Sequence, residues 1–162
     1  MIQDIHGSWT HKDDPGEPIY GTPRVSVTTE EAQLLSELVK DKTVLEIGTG
    51  LGISTRAMAK TAKRVTSIDI DPWVQKVIWP TLAEISNINC VKQPGNALKV
   101  DIVFIDACHY TNAIEKDVET ARQHLKHGGK IIFHDAQWIQ KDKFNPMILY
   151  PTTYGIGVME VE

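Results

Sequence analysis

Cysteines and long apolar runs are both scarce in this sequence. Only two cysteines, Cys90 and Cys108, occur among 162 residues, and their spacing fits neither a C-x-x-C motif nor a zinc-ligand pattern. A disulfide framework is therefore excluded, and we expect reduced thiols inside a cell. No apolar stretch approaches the roughly 20 residues of a membrane-spanning helix, and residues 1–12 contain no signal-type apolar core. We therefore expect a cytoplasmic protein that has no membrane partner.

Blocks of basic residues are also missing. Lys and Arg number 17 against 21 Asp and Glu, which gives a formal charge of −4. Nucleic-acid-binding proteins usually carry a basic patch or stripe, so we expect no nucleic-acid partner. The length predicts one domain: an irregular N-terminal arm over residues 1–24, rich in Gly, Pro, Asp and His, followed by a single domain over residues 25–162.

The apolar pattern alternates between the periods of strands and helices. Such alternation predicts an α/β fold, a doubly wound, mostly parallel Rossmann-like sheet with a shortened C-terminal antiparallel end. A capping box from Thr28 to Glu31 predicts the start of the first helix, and Pro80 predicts that a later helix kinks or stops. The predicted elements after the first helix are strand 43–48, helix 54–60, strand 64–69, helix 72–86 with its break at Pro80, strand 88–92, strand 101–106, helix 111–126 ended by Gly128 and Gly129, strand 130–134, and a last strand near 154–161.

Residues 44–54 contain three glycines spaced two apart, directly after an apolar strand. Gly48, Gly50 and Gly52 leave a turn without side chains, which lets a ligand approach the backbone and the following helix N-terminus. The third glycine comes one residue earlier than in the dinucleotide fingerprint G-x-G-x-x-G, and a phosphate-binding P-loop would need a lysine. The pattern E-x-G-x-G-x-G, which begins at Glu46, instead resembles the first motif of class I S-adenosylmethionine-dependent methyltransferases.

A carboxylate ends the second predicted strand. Asp69 lies 21 residues after Gly48, near the offset of acids that bind a ribose diol in nucleotide-binding sheets. Asp71 precedes Pro72 and is better explained as a helix N-cap. With the resemblance, the predicted contacts to S-adenosylmethionine are Glu46, Gly48, Thr49, Gly50, Gly52, Ser54, Asp69, Ile70, Asn96, Ala97 and Asp106.

Two further acids end strands that the usual strand order places beside the glycine loop. Asp106 ends the fourth strand and Asp135 follows the fifth, and a close carboxylate pair needs a proton or a cation. A hard divalent cation such as Mg²⁺ meets that need, and it would bind a substrate hydroxyl and orient its oxygen. His109, three residues after Asp106, is a candidate general base.

The segments 101–110 (DIVFIDACHY) and 128–135 (GGKIIFHD) resemble a narrower family. They are similar to the metal-dependent O-methyltransferases, which include catechol O-methyltransferase-like enzymes and sugar or natural-product enzymes with a D-x-x-H motif. The resemblance, over residues 25–135, implies that Asp106 and Asp135 bind the metal and that His109 is the base. Ala136 stands where the catechol-type enzymes have a third ligand, Asn, so His134 is the candidate replacement.

The resemblance implies methyl transfer to a hydroxyl oxygen of a small molecule. No substrate-capping insertion is visible, so we expect an open site that a second copy of the chain or the 1–24 arm closes. Gly95-Asn96-Ala97 replaces the Gly-Asp-Ala with which the family meets the adenine amino group, and the Asn96 amide oxygen still accepts such a bond. The alternative function is a non-catalytic S-adenosylmethionine-binding module or partner subunit. A nicotinamide oxidoreductase is disfavoured by the glycine spacing.

Overall fold

The computed structural model describes residues 27–107, 111–139, 143–144 and 146–161. The Cys108–Tyr110 segment, which contains the predicted base His109, and the predicted arm therefore lie outside the described residues. The elements of the domain are α1 (Thr29–Leu38), β1 (Thr43–Ile47), α2 (Ile53–Ala59), β2 (Arg64–Ile68), a π-helical turn (Val74–Ile78), α3 (Trp79–Leu82), β3 (Ile88–Cys90), β4 (Val100–Ile105), α4 (Thr111–His124), β5 (Leu125–Phe133), β6 (Ile148–Tyr150) and β7 (Ile156–Glu160).

One seven-stranded sheet has the order β3-β2-β1-β4-β5-β7-β6. The pairings among β1 to β5 are parallel, and β7 pairs antiparallel with both β5 and β6. This arrangement confirms the predicted fold class, including the short antiparallel end, in which β6 has only three residues. Because β1, β4 and β5 are neighbours, the residues that follow them share one edge of the sheet.

Both faces of the sheet are buried. Consecutive residues of β4 alternate between the faces: Val103 belongs to the core that includes Ile114 and Val118 of α4, whereas Phe104 belongs to the core that includes Leu35 of α1. Continuous apolar character is what a parallel strand covered on both sides requires. None of the helices in the described ranges is long and apolar enough to span a membrane.

The helix that starts near Pro72 does not stop at Pro80, but its regular geometry is interrupted just before the proline. It passes through the π-helical turn, in which the Trp79 amide bonds to the Val74 carbonyl, and continues as α3 to Leu82. Proline lacks an amide hydrogen and its ring clashes with the carbonyl four residues earlier. The wider turn just before Pro80 and the proline's place at the first turn of α3 accommodate both effects.

The boundary between α4 and β5 also differs from the prediction. The helix ends at His124, and Leu125 already pairs with Val100 of β4. The chain then makes an excursion over residues 126–129 and resumes regular pairing when Lys130 faces Ile102. Gly128, with φ of +71°, turns the chain within this excursion. The prediction that Gly128 and Gly129 end the helix is therefore wrong, because the helix ends four residues earlier and both glycines lie within β5.

The last predicted strand, near 154–161, corresponds to β7, whereas β6 was not predicted. β6 occupies Ile148–Tyr150 and β7 occupies Ile156–Glu160. The connection between them, residues 151–155, returns the chain toward α1, where two of its residues bond to Glu31. The β6–β7 hairpin therefore extends the sheet and also supplies part of the surroundings of the functional edge.

Candidate functional site

The turn after β1 is tight, and backbone hydrogen bonds within it and to β2 fix its position. Gly48 has φ of +97° and Gly52 has φ of +74°, values that residues with a Cβ rarely adopt. The Gly48 amide donates to the Ile68 carbonyl at 2.9 Å, and the Gly52 amide donates to the Thr49 carbonyl at 2.8 Å. The turn thus stays against β2 and leads directly into the N-terminus of α2, for which Gly52 is the N-cap residue.

Glu46 lies beneath this turn and is completely buried. Its carboxylate accepts hydrogen bonds from the hydroxyls of Ser54 (2.5 Å), Thr55 (2.5 Å) and Ser67 (2.6 Å). Burial raises the pKa of Glu46 to about 7, although the three hydroxyl donors oppose the rise. Glu46 and Ser54, both predicted cofactor contacts, therefore have side chains that tie β1 to α2 and β2.

Thr49 is also buried and bonded within the protein. Its hydroxyl shares a hydrogen bond of 2.7 Å with Ser67, and the indole nitrogen of Trp79 donates to it at 3.1 Å. The bond from Trp79 joins the helix after β2 to the glycine turn. The side chain of Thr49, a predicted cofactor contact, thus anchors the turn.

Asp69 follows β2 and is placed directly against the turn, with its side chain mostly buried. One carboxylate oxygen accepts the Gly50 amide at 3.0 Å, and the other accepts the Asp71 amide at 2.8 Å. These two bonds fix the plane of the carboxylate beside the glycines. Asp71 caps the next helix as predicted, since its side chain accepts the Trp73 amide at 2.7 Å.

Ile70 lies next to Asp69 and is 94% exposed. An isoleucine with so much of its surface in water makes almost no contribution to the core. The side chain therefore lies in solvent next to Asp69. Its predicted contact with the cofactor stays a prediction.

Asn96 and Ala97 lie in the connection between β3 and β4, and both are exposed. The Leu98 amide donates to the Gly95 carbonyl at 2.8 Å, which closes a turn over these residues. No hydrogen bond of the described residues joins their side chains to the glycine turn or to Asp69. Their predicted role in binding adenine stays a prediction.

Asp106, His134 and Asp135 come together where β4 and β5 end. His134 Nδ1 lies 2.9 Å from Asp106 Oδ1 and 3.3 Å from Asp135 Oδ2, and the histidine is 4% exposed. One ligand atom from each residue lies within 4.8 Å of the others. Asp135 has φ of +54°, a left-handed value that aspartate adopts more readily than most residues other than glycine.

A fourth side chain, Glu31 of α1, completes the surroundings of His134. Glu31 is fully buried, and its Oε2 lies 3.3 Å from His134 Nε2. The same carboxylate accepts bonds from the Thr28 amide (2.8 Å), the Thr152 hydroxyl (2.9 Å) and the Tyr154 amide (2.8 Å). The predicted capping box is thus present, but Glu31 also joins α1 to His134 and to the β6–β7 connection.

The electrostatics of this cluster favour a cation. Burial alone would lower the pKa of His134, but the charge of Asp106 and hydrogen bonds to three carboxylates raise it well above its usual range. Burial alone would raise the pKa of Glu31, but hydrogen bonds from His134, Thr28 and Tyr154 lower it to about 2. A proton on the imidazole or a bound metal ion is what these carboxylates attract.

The donor set is suited to a divalent metal ion. Two carboxylate oxygens and one imidazole nitrogen converge at this point, and Mg²⁺ and Mn²⁺ prefer oxygen ligands, with Mn²⁺ also accepting an imidazole. Ala136, which occupies the third ligand position of catechol-type enzymes, is buried and bonds through its amide to the Gly155 carbonyl at 2.9 Å. The three residues that converge are the three that the sequence predicted.

The contacts of some site residues could not be predicted from the sequence. Glu31 is explained locally by the capping box, and its contact with His134 joins positions 103 residues apart. Thr55 and Ser67 are ordinary polar residues of an amphipathic helix and a strand. Only a prediction of which elements pack together could have indicated that their hydroxyls meet at Glu46.

Solved structures with this fold include methyltransferases. An assigned O-methyltransferase from Klebsiella pneumoniae superposes with a TM-score of 0.70 at 20% identity, covering 91% of each chain. An RNA methyltransferase from Salinibacter ruber, in complex with S-adenosylhomocysteine, superposes with a TM-score of 0.68 at 16% identity, covering 85% of this chain and 94% of the other. At these identities the likeness establishes the fold.

Curated relatives correct one expectation. A ribosomal RNA small subunit methyltransferase A from Methanosarcina acetivorans is 37% identical over 71 residues, which are 44% of this chain and 26% of the relative. The chain thus spans about a quarter of the curated relatives that it matches. Because these relatives and the Salinibacter protein are RNA methyltransferases, the expectation that nucleic acid is no partner is wrong. Absence of a basic block is a weak criterion in a domain whose electrostatic contacts with RNA need not lie in one block of sequence.

Residues 45–136, more than half of the chain, match the sequence profile of the methyltransferase domain family. The match begins in β1 and ends just after Asp135, so it contains the glycine turn, Asp69 and the acid pair. This match over more than half of the chain establishes the family, and the sheet order agrees with the fold of the class I methyltransferases: the chain belongs to the methyltransferase domain family.

Proposed function

We propose that this chain transfers the methyl group of S-adenosylmethionine to a hydroxyl oxygen, with the help of a divalent cation. The observation that carries the proposal is the convergence of Asp106, His134 and Asp135 within 4.8 Å. Oxygen nucleophiles are poor at neutral pH unless a base or a metal ion removes their proton. A cation site beside the methyl donor meets that requirement.

The glycine turn and Asp69 provide the proposed seat for the methyl donor. The Asp69 carboxylate, oriented by the Gly50 and Asp71 amides, would accept the ribose hydroxyls. The exposed Ile70 side chain would cover one face of the adenine. Gly48 lies between this seat and Asp106, so the methyl group would point toward the acids.

Asp106, His134 and Asp135 would hold the cation. When bound, such an ion lowers the pKa of a coordinated hydroxyl and fixes the position of its oxygen. In the transfer, the acceptor oxygen forms a bond to the methyl carbon while the carbon–sulfur bond breaks, and the sulfonium becomes a neutral thioether. The hydroxyl proton would go to His109, whose position three residues after Asp106 is taken from the sequence.

The proposal is tested by assaying release of S-adenosylhomocysteine from a panel of hydroxylated aromatics and sugars. We expect turnover in Mn²⁺ or Mg²⁺, loss of turnover in EDTA, and at least 100-fold loss in Asp106→Asn. Asp101→Asn is a matched control, because Asp101 is bonded to Thr43 and Lys126 at the far end of β4. Turnover that is unaffected by EDTA would exclude the metal-assisted mechanism. Cofactor binding without turnover on any acceptor would favour the non-catalytic binding module.

Methylation of RNA is the second candidate, and the match to ribosomal RNA methyltransferases favours it. The assay is the same, with total RNA as acceptor and a radiolabelled methyl group. Incorporation into RNA that survives protease and is released by ribonuclease would support this candidate. Analysis of the modified nucleoside would then separate methylation of a ribose hydroxyl, which the acid cluster can serve, from methylation of a base.

A further inference from the structure

Glu31 is the residue of α1 that faces His134, and it has more partners than a helix cap requires. A capping box needs only the reciprocal bonds between Thr28 and Glu31, which are present. Here the Glu31 carboxylate also accepts the Tyr154 amide at 2.8 Å and the Thr152 hydroxyl at 2.9 Å on Oε1. The Glu31 side chain is therefore bonded to the start of α1 and to the β6–β7 connection, lies beside His134, and is completely buried.

Both ring nitrogens of His134 face carboxylate oxygens, so both carry a hydrogen when no cation is bound, and Glu31 holds the hydrogen on Nε2. Oε2 accepts the Thr28 amide at 2.8 Å and lies 3.3 Å from His134 Nε2. An oxygen that already accepts a backbone amide acts as an acceptor toward the imidazole as well, so Nε2 is the nitrogen that donates. The other nitrogen, Nδ1, is the one that faces Asp106 at 2.9 Å and Asp135 at 3.3 Å.

We propose that Glu31 is a positioning residue that holds the Nε2 hydrogen of His134, so that Nδ1 is the nitrogen that exchanges its hydrogen for a cation bound with Asp106 and Asp135. The inference rests on the proposed function, since it concerns the same site. Carboxylates that hold the outer nitrogen of a metal-binding histidine fix its ring orientation and increase its basicity. Glu31 is well placed for this role because its carboxylate also accepts the amide and hydroxyl of Thr28, the Thr152 hydroxyl and the Tyr154 amide, which prevent it from rotating.

The consequence is a link between the start of α1 and the cation site. Tyr154 contributes to the same link, because its ring packs edge-on against His134 with centroids 5.7 Å apart and its amide bonds to Glu31. His134 is thus restrained on one side by a carboxylate and on another by an aromatic ring. Its imidazole then has little freedom to turn Nδ1 away from the two aspartates.

Glu31→Gln is the direct test, with Mn²⁺ as the probe. The amide nitrogen of a glutamine at this position would donate toward His134 Nε2, leave the only ring hydrogen on Nδ1 and so oppose cation binding there. We expect the dissociation constant for Mn²⁺, measured by calorimetry and by electron paramagnetic resonance, to rise 10- to 100-fold. Glu30→Gln, which removes the same charge from the neighbouring exposed residue, should change the constant less than twofold.

Thr28→Ala separates the two roles of Glu31. It removes the hydroxyl that caps α1 and also bonds to Glu31 Oε2. The carboxylate keeps its bonds to two backbone amides and to the Thr152 hydroxyl, so we expect reduced thermal stability and an Mn²⁺ constant within twofold of wild type. Equal Mn²⁺ affinity in Glu31→Gln and wild type would overturn the inference while leaving the proposed cation site intact. If wild type and Asp106→Asn bind Mn²⁺ equally poorly, both the inference and the metal-assisted function fail.

A measurement on wild type keeps the inference testable if Glu31→Gln does not fold. Long-range ¹H–¹⁵N correlation spectra report which ring nitrogen carries the hydrogen. We expect the Nε2–H form of His134 in the protein saturated with Mg²⁺. A Nδ1–H form in that state would overturn the inference.

Discussion

The Cα of Gly48 lies against the backbone of Asp106, so close that a Cβ at position 48 would be 2.3 Å from the Asp106 carbonyl oxygen. This contact joins the glycine turn after β1 to the end of β4, where Asp106 lies. The two segments can approach so closely only because position 48 has no side chain.

Gly48→Ala should damage stability and cofactor binding together. The added methyl group meets the Asp106 carbonyl, and φ of +97° is unfavourable for alanine. We expect the free energy of unfolding to fall by about 2–4 kcal/mol, from overpacking and backbone strain combined. Urea denaturation measures the loss, and calorimetry should show S-adenosylmethionine binding weakened at least tenfold.

Gly95→Ala is the control for this prediction. A Cβ at Gly95 meets nothing within 4 Å, so the free energy of unfolding should change by less than about 0.5 kcal/mol. Equal stabilities of the two variants would show that the tight contact at Gly48 is of no consequence.

Ile70→Ser should weaken cofactor binding without destabilising the fold. The side chain is 94% exposed, so the fold loses little when it is removed, whereas a bound adenine would lose an apolar contact worth about 1 kcal/mol. We expect the dissociation constant for S-adenosylmethionine to rise about fivefold with an unchanged melting temperature. Ile148→Ser, 62% exposed on the edge strand β6, should leave the constant unaltered. An unchanged constant in Ile70→Ser would remove this residue from the cofactor site.

Stability should fall with rising pH through the titration of Glu46. Burial raises the pKa of Glu46 from 4.5 to about 7 in the folded chain, so between these values the folded state binds more protons than the unfolded state. The contribution of Glu46 is therefore most favourable below pH 4.5, declines as the pH rises, and levels off above about 7. The decline is on the order of 3 kcal/mol.

Glu46→Gln isolates this contribution from the other titrating groups. Urea denaturation of wild type and variant at pH 5 and pH 8 gives the difference in their unfolding free energies at each pH. We expect this difference to move in favour of the variant at pH 8 relative to pH 5. A difference that does not depend on pH would show that Glu46 has an ordinary pKa.

Trp138 is expected to contribute to acceptor binding. It is 62% exposed, and its amide donates to the Asp135 carbonyl at 2.9 Å, which places it beside the acid cluster. Under the proposed O-methylation, Trp138→Ala should raise KM for an aromatic acceptor two- to tenfold, the equivalent of losing one aromatic contact. Trp138→Phe should restore most of the affinity. A KM that stays constant, or cofactor affinity that falls in parallel, would contradict this role.

The features that could be predicted from the sequence are those that depend on residues close together in the chain. The glycine turn, the capping box and the alternating elements are local, and the parallel order followed from the rule that connects strands in such sheets. The meeting of Asp106 with His134 and Asp135 could be predicted because all three residues sit at the ends of neighbouring strands. Their positions depend on sheet topology alone.

Contacts between elements distant in sequence could not be predicted in this way. The side chains of Glu31 and His134 meet because α1 packs against the sheet at one particular position, which no local pattern encodes. The π-helical turn before Pro80 could not be predicted either, although a wider turn there avoids the cost of a proline in a helix. The expectation about nucleic acid failed because overall charge reports on surfaces, whereas the relatives were identified by residue-by-residue similarity.

The widened turn at Val74–Ile78 has a consequence for the orientation of the indole that follows it. A π-turn contains about one residue more than an α-turn, which rotates everything after it by roughly 100° around the helix axis. Trp79 is the first residue after this rotation, and its nitrogen reaches Thr49 at 3.1 Å. A uniform α-helix of the same sequence would direct that indole elsewhere. The extra residue in the π-helical turn therefore orients Trp79 toward the glycine turn.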